Sequence, residues 1–161
     1  MKNRILLYPV ILIIILISVL YIASIQLTNS YVNSFTVNNR TYNFTGYALN
    51  LNEWEHGLMN STINKSTFML FEFNKSSIWN FWMFDTYTNL DIIWINASGN
   101  LSNDNYGTIV YLVKNASACI NVDTCRIYTP KNLSDYVIET RYGFIQNNNI
   151  HIGQSIKFNV G

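Results

Sequence analysis

The chain has 161 residues, of which 49% are hydrophobic, 15% aromatic and only 12% charged, and its formal net charge is +1. No basic patch or arginine cluster occurs, which excludes the electrostatic footprint of a nucleic-acid binder. Two prolines, Pro9 and Pro130, and the high aromatic content exclude a disordered polypeptide.

The first segment sets the address. A basic head, Met1-Lys2-Asn3-Arg4, precedes an uncharged apolar run from Ile5 to Ile25. As a helix that run is about 31 Å long, enough for a hydrocarbon core of about 30 Å. The run is expected to be a single transmembrane anchor, with Pro9 near its start. Lys2 and Arg4 keep the head cytoplasmic by the positive-inside rule, which places Gln26 onward outside the cell. A cleaved secretory signal is the competing reading, but the run is long for one and Tyr21-Ile22-Ala23 is a poor cleavage site. The expected organisation is therefore a head and anchor over 1–25, a spacer and first strand over 26–36, and an extracytoplasmic β domain over 37–161. Removing Lys2 and Arg4 leaves eight basic residues against nine acidic ones, so the outer part carries a net charge near −1.

Beyond the anchor the pattern is mostly strand. Phe35-Thr36-Val37 and Tyr42-Asn43-Phe44 flank Asn38-Asn39, which reads as a hairpin turn. Asn50 to His56 reads as one or two helical turns, with Asn50 and Glu53 as a capping box and Gly57 past the end. Thr67–Phe73 reads as a strand closed by a polar turn, Asn74-Lys75-Ser76-Ser77. Ile78–Phe84 and Leu90–Ile95 read as strands buried on both faces, the second closed by a turn over Asn96–Asn100. Thr108–Val113 leads into a cysteine loop. Asp135–Thr140 alternates, with Tyr136 and Ile138 the expected core pair and Val137 and Glu139 on the other face. Phe144–Asn149 reads as a short turn or hairpin tip, and Ser155–Val160 as the last strand. Seven or eight short strands with one or two helical turns imply a mainly β, compact sandwich- or barrel-like domain.

Two features agree with an outer location. Cys119 and Cys125, the only cysteines, are expected to form a disulfide. The pattern N-x-[ST] occurs at Asn39, Asn60, Asn64, Asn74, Asn96, Asn100, Asn115 and Asn132, mostly in expected turns, and at Asn43 within a strand. These are candidate glycosylation sites, although a chain this rich in Asn, Ser and Thr also generates such patterns by chance.

Candidate chemistry is sparse. Asp85 and Asp91 bracket the loop Thr86–Leu90 at a strand end. With Thr86 they form a candidate acid/base pair or hard-cation site, against the plainer reading that Asp91 binds backbone amides and Asp85 is solvated. Glu53 and His56 share a helix face, half a metal site at most, with His151 or a distant carboxylate needed to complete it. No metal or cofactor is expected. Met59, Met69, Met83, Trp79 and Trp82 either line an apolar groove or fill the core. Together these readings single out Asp85, Thr86, Asp91, Trp82 and Met59 as candidate binding residues. No nucleophile elbow, phosphate loop, zinc signature or dinucleotide fingerprint is present.

The order of several blocks resembles the uncharacterised family DUF192, also called UPF0127. The matching residues are Gly57-Leu58-Met59, Met69-Leu70-Phe71-Glu72-Phe73, Phe81-Trp82-Met83, Thr86, Leu90-Asp91-Ile92-Ile93-Trp94-Ile95 and Gly99. Further on come Cys119, Cys125, Tyr128, Pro130, Tyr136-Val137-Ile138-Glu139, Gly143 and Gly153. The resemblance spans roughly Glu53 to Val160 and implies a compact, mainly β domain with no established activity. Family members usually carry an arginine soon after the Gly-Leu-Met block, where Asn60 to Thr62 stand here. They usually carry a basic residue and Asn where Phe84 and Asp85 stand, and often Gly-Asp at Gly153-Gln154.

The expected function is a membrane-anchored outer domain that binds an envelope protein, a glycan or a small ligand. An envelope hydrolase using Asp85 and Asp91 is the alternative. A filament subunit is a further one, weakened because Arg4 meets Ile5 with no small residue between them.

Overall fold

A computed structural model of the chain describes residues 11–21, 32–97 and 105–161. These fall into two compact units, the N-terminal segment and a β domain over Asn33–Asn159. Residues 11–21 are helical. Among the described residues no helix is long and apolar enough to cross a membrane. The basic head, the remainder of the Ile5–Ile25 run, most of the spacer, Gly99 and the sequon at Asn100 lie outside the described residues.

The β domain is one curled, half-barrel sheet built from eight strands. They are β1 (Val32–Val37), β2 (Arg40–Asn43), β3 (Gly46–Ala48), β4 (Phe68–Ser77), β5 (Leu90–Asn96), β6 (Tyr106–Ala116), β7 (Ser134–Arg141) and β8 (Ser155–Val160). Two short helices, α1 (Leu51–His56) and α2 (Phe144–Asn147), and a 3-10 turn over Val122–Thr124 complete it. The strand order is β2-β1-β8-β6-β5-β7-β4-β3. The edges β2 and β3 are neighbours in sequence, and Phe44 and Thr45 between them donate to the carbonyls of Asn33 and Phe68 (3.0 and 2.8 Å).

Local chemistry explains the elements. Asn38 and Asn39 take φ of 51° and 60°, the two left-handed positions of a hairpin turn that asparagine tolerates. Asn50 caps α1, its side chain accepting from the Glu53 amide at 3.2 Å. The Glu53 carboxylate accepts from the Leu49 amide at 2.6 Å, one residue before the cap. Gly57 ends the helix at φ 50° and ψ −130°. β5 is central in the sheet, with β6 and β7 bonded to its two edges and side chains packed on both of its faces, so every residue from Leu90 to Ile95 is buried. One sheet face carries Phe35, Leu70, Ile93, Ile138 and Phe158; the other carries Phe71, Ile92, Trp94 and Val137, with Met83 packed against it from outside the sheet. Gly107 is forced by this packing, because a Cβ there would sit 2.4 Å from the Ile95 Cγ2.

The sequence reading is corrected at four places. The polar stretch Asn74–Ser77 continues β4 rather than turning, with a register irregularity between Glu72 and Ser77. Ile78–Phe84 is not a strand buried on both sides. It is an irregular segment with isolated bridges from Phe81 to Tyr128 and from Phe84 to Cys119, and it leaves Ile78 and Trp82 exposed. Val137 and Glu139 are as buried as Tyr136 and Ile138, because α1 and the segment after β4 cover the second sheet face. Gly46–Ala48 forms a strand, β3, where none was expected, whereas Phe144–Asn147 is the short turn of the two readings, in helical form.

Candidate functional site

The irregular segment 78–86 and helix α1 roof the second face of the sheet and leave a cleft of about 770 Å³ between them. Aromatic side chains dominate its lining: Trp54 from α1, Phe71 and Phe73 from β4, and Trp79, Phe81 and Trp82 from the segment. They hold one another in fixed attitudes. Phe73 and Trp79 stack at 4.0 Å and 11°, and Trp54 lies 5.0 Å from Phe73 and 5.8 Å from Trp79. Phe81 meets Phe71 edge to face at 4.8 Å. The Trp54 and Trp79 indole nitrogens are spent on the scaffold, Trp79 donating to the Lys75 carbonyl at 3.3 Å. The Trp54 indole donates to the carbonyls of Ala48 and Glu72 (3.0 and 3.1 Å). The Trp94 indole donates to the Trp79 carbonyl at 2.8 Å and so ties the segment to β5.

The cysteine loop holds that wall in place. Cys119 and Cys125 form a disulfide, with Cα atoms 5.6 Å apart. The Cys119 amide donates to Met83 at 3.1 Å, and its carbonyl accepts from the Asp85 amide at 2.8 Å. Phe81 and Tyr128 exchange two backbone bonds (3.0 and 2.7 Å), and the Tyr128 hydroxyl accepts from the Ser117 amide at 2.9 Å.

At the floor lies Glu139. It sits in the middle of β7, paired in register with Met69 of β4 and Ile92 of β5, and is 3% exposed. No hydrogen bond or ion pair from the described residues reaches its carboxyl group. Burial pushes its pKa up to about 8, so the group carries a proton at neutral pH. Gly57 passes directly above it: a Cβ there would stand 3.2 Å from Phe71 Cζ and 3.5 Å from Glu139 Oε2. The glycine thus leaves the acid facing the cleft. Glu55 and His56 on α1 are the other ionisable lining groups, and no lysine or arginine is among them.

The residues singled out from sequence divide. Met59, Trp82 and Thr86 line this cleft; Asp85 and Asp91 do not. Thr86 is buried, and its hydroxyl donates to the Met83 carbonyl at 2.7 Å. Asp85 takes a left-handed φ of 56° and accepts from the Asn60 side chain at 3.2 Å. Asp91 is 1% exposed and accepts from the amides of Asn115 (2.9 Å) and Ile145 (2.8 Å), which staples β6 and α2 to β5. The two carboxylates therefore serve separate partners. Among the described residues no three His, Cys, Asp or Glu side chains gather as a metal site would require. Glu139 was missed from sequence. Its signal was a charged residue directly behind the apolar run Tyr136-Val137-Ile138.

The expected glycan acceptors are placed as follows. Asn39 and Asn74 are exposed, on the hairpin turn and on β4. Asn64 is exposed and accepts from the Ser66 amide (2.8 Å). Asn43 is exposed at the end of β2, and Asn115 is exposed and accepts from Asn89 (2.9 Å). The side-chain nitrogens of Asn60, Asn96 and Asn132 already donate to Asp85, to the Leu133 carbonyl (3.2 Å) and to the Val110 carbonyl (3.3 Å).

A family model, DUF192, described as "Uncharacterized ACR", matches residues 38–158. No curated protein matches the chain. The fold is similar to that of a putative transcription regulator from Sinorhizobium meliloti 1021, with a TM-score of 0.61 and 24% identity over 80% of this chain and 92% of that one. It is equally similar to a protein of unknown function from Novosphingobium aromaticivorans DSM 12444, with a TM-score of 0.61 and 20% identity over 80% and 84% of the two chains.

Proposed function

This chain belongs to the DUF192 family, and from that premise we propose that it is a membrane-tethered, extracytoplasmic domain that binds a small ligand in the cleft beneath α1. The observation that carries the reading is the cleft itself. Its volume of about 770 Å³ falls within the roughly 300–1,000 Å³ of small-molecule sites, and it joins an apolar, aromatic lining to a single buried ionisable group. Asp85 and Asp91 sit outside it, which favours binding over hydrolysis by that pair.

The tether rests on the uncharged run Ile5–Ile25 behind Lys2 and Arg4. Within its described part, the Ser18 hydroxyl returns to the Ile15 carbonyl at 2.7 Å, so that side chain asks nothing of its surroundings. The outer location is supported by the disulfide, a bond that persists in oxidising compartments. The sequons are compatible with it.

The test uses the full-length chain in detergent micelles, with benzyl alcohol as a small apolar probe and empty micelles as the blank. Binding quenches or shifts the tryptophan fluorescence, because Trp54, Trp79 and Trp82 line the cleft. Trp82→Ala, at the exposed rim, weakens the response by about tenfold, or roughly 1.4 kcal/mol. A response identical in the variant, or none at all in the wild type, contradicts the proposal.

A further inference from the structure

We propose that the cleft selects a small organic cation, an ammonium or guanidinium on an apolar body, with the Glu139 carboxylate as its counter-ion. The inference rests on the reading of the cleft as a ligand site and names the ligand's chemistry.

Three observations point the same way. Glu139 is nearly wholly buried, has no hydrogen-bond partner among the described residues, and faces the cleft through the gap that Gly57 leaves. A buried acid in this state is incomplete, and a cation brought by a ligand completes it. Next, the lining holds two carboxyl groups, Glu139 and Glu55, and no lysine or arginine. An anionic ligand therefore finds no basic partner in the lining but His56, while a cation finds two carboxyl groups. Finally, the walls are aromatic rings, whose negative faces attract ammonium and guanidinium groups, most strongly where water is excluded.

The proton balance gives the proposal a signature. The groups packed against Glu139 from β4 and β5 are Met69 and Ile92. Those of segment 79–86 that line the cleft are Trp79, Asn80, Phe81, Trp82, Phe84 and Thr86, none of them charged. From α1 come Glu55 and His56. Since Glu139 is protonated at neutral pH, binding an ammonium ion releases that proton to the buffer and leaves a carboxylate–ammonium pair. Affinity for the cation therefore rises with pH by up to about tenfold per unit and levels off once the free acid is ionised.

The experiment is calorimetry on the full-length chain in detergent micelles with benzylamine, benzylguanidine and benzyl alcohol, between pH 6 and 9. Buffers of different ionisation enthalpy count the protons. The cations are expected to bind at least about tenfold more tightly than the alcohol at pH 8.5 and to release close to one proton at pH 7. Glu139→Gln, which keeps the size and shape of the side chain, abolishes both the preference and the proton release while still binding the alcohol. Equal affinity for cation and alcohol in the wild type overturns the inference and leaves the cleft a ligand site. So does a cation preference that survives in the Gln variant. Failure of all three probes to bind overturns both readings.

Discussion

Glu139 concentrates the consequences of this fold at the scale of one residue. Burial raises its pKa from an ordinary 4.5 to about 8. Between those values the folded chain keeps a proton that the unfolded chain has released. The contribution of Glu139 to stability is therefore complete below pH 4.5, falls as pH rises toward 8, and is level above it. The whole window is worth on the order of 5 kcal/mol. Asp135, half-buried and also raised by burial, acts in the same direction. Thermal unfolding of the wild type should show a midpoint that drops from pH 5 to pH 9. Glu139→Gln should flatten most of that slope and be the more stable protein at pH 9. A parallel slope in the two proteins would mean that another group carries it. This residue was not legible in advance, because alternation along β7 shows which side chains share a face but not that both faces are covered. Asp91 was legible in one of its two readings, as a buried acceptor of backbone amides.

At the scale of elements, the cysteine loop and segment 78–86 act as one wall. The loop donates to and accepts from Met83 and Asp85, and Tyr128 pairs with Phe81. Closing a loop this short contributes about 2 kcal/mol by the chain-entropy argument. Reduction of the disulfide should lower the unfolding midpoint by roughly 5–10 °C and weaken binding of benzyl alcohol, since the loosened loop no longer fixes Phe81 and Met83. Reduction that lowers the midpoint but leaves binding intact would show that the wall stands without the loop. Elements with their own local signals were readable: the Asn38-Asn39 hairpin, the Asn50 cap and the apolar run of β5. Segment 78–84 was not. Its apolar content is that of a buried strand, yet Phe81 and Met83 pack inward while Trp82 and Ile78 stay exposed. A strand needs a neighbour along its length, and periodicity says nothing of neighbours. The reverse error fell on Asn74–Ser77, where polar residues suggested a turn but sit on the exposed end of β4.

For the whole molecule, the β class followed from alternation and turn spacing, whereas the single curled sheet did not, and the number of strands agrees only because β3 was not expected and segment 78–84 was wrongly counted. Its order places β1 and β8 together, β6 beside β8, and parallel β3 on β4, pairings between segments far apart in sequence. The proposed tether belongs to this scale as well. Protease added to intact cells should remove the β domain and leave only a short membrane-bound remnant; full protection of the domain would contradict the outer location.

The central claim is that a protonated acid floors a ligand cleft. It is tested most directly by carbon NMR of the Glu139 carboxyl group across pH, with and without saturating benzylamine. The account predicts titration near 8 in the free protein and a marked fall with the amine bound. Titration in the ordinary carboxylate range, unmoved by the amine, would contradict it.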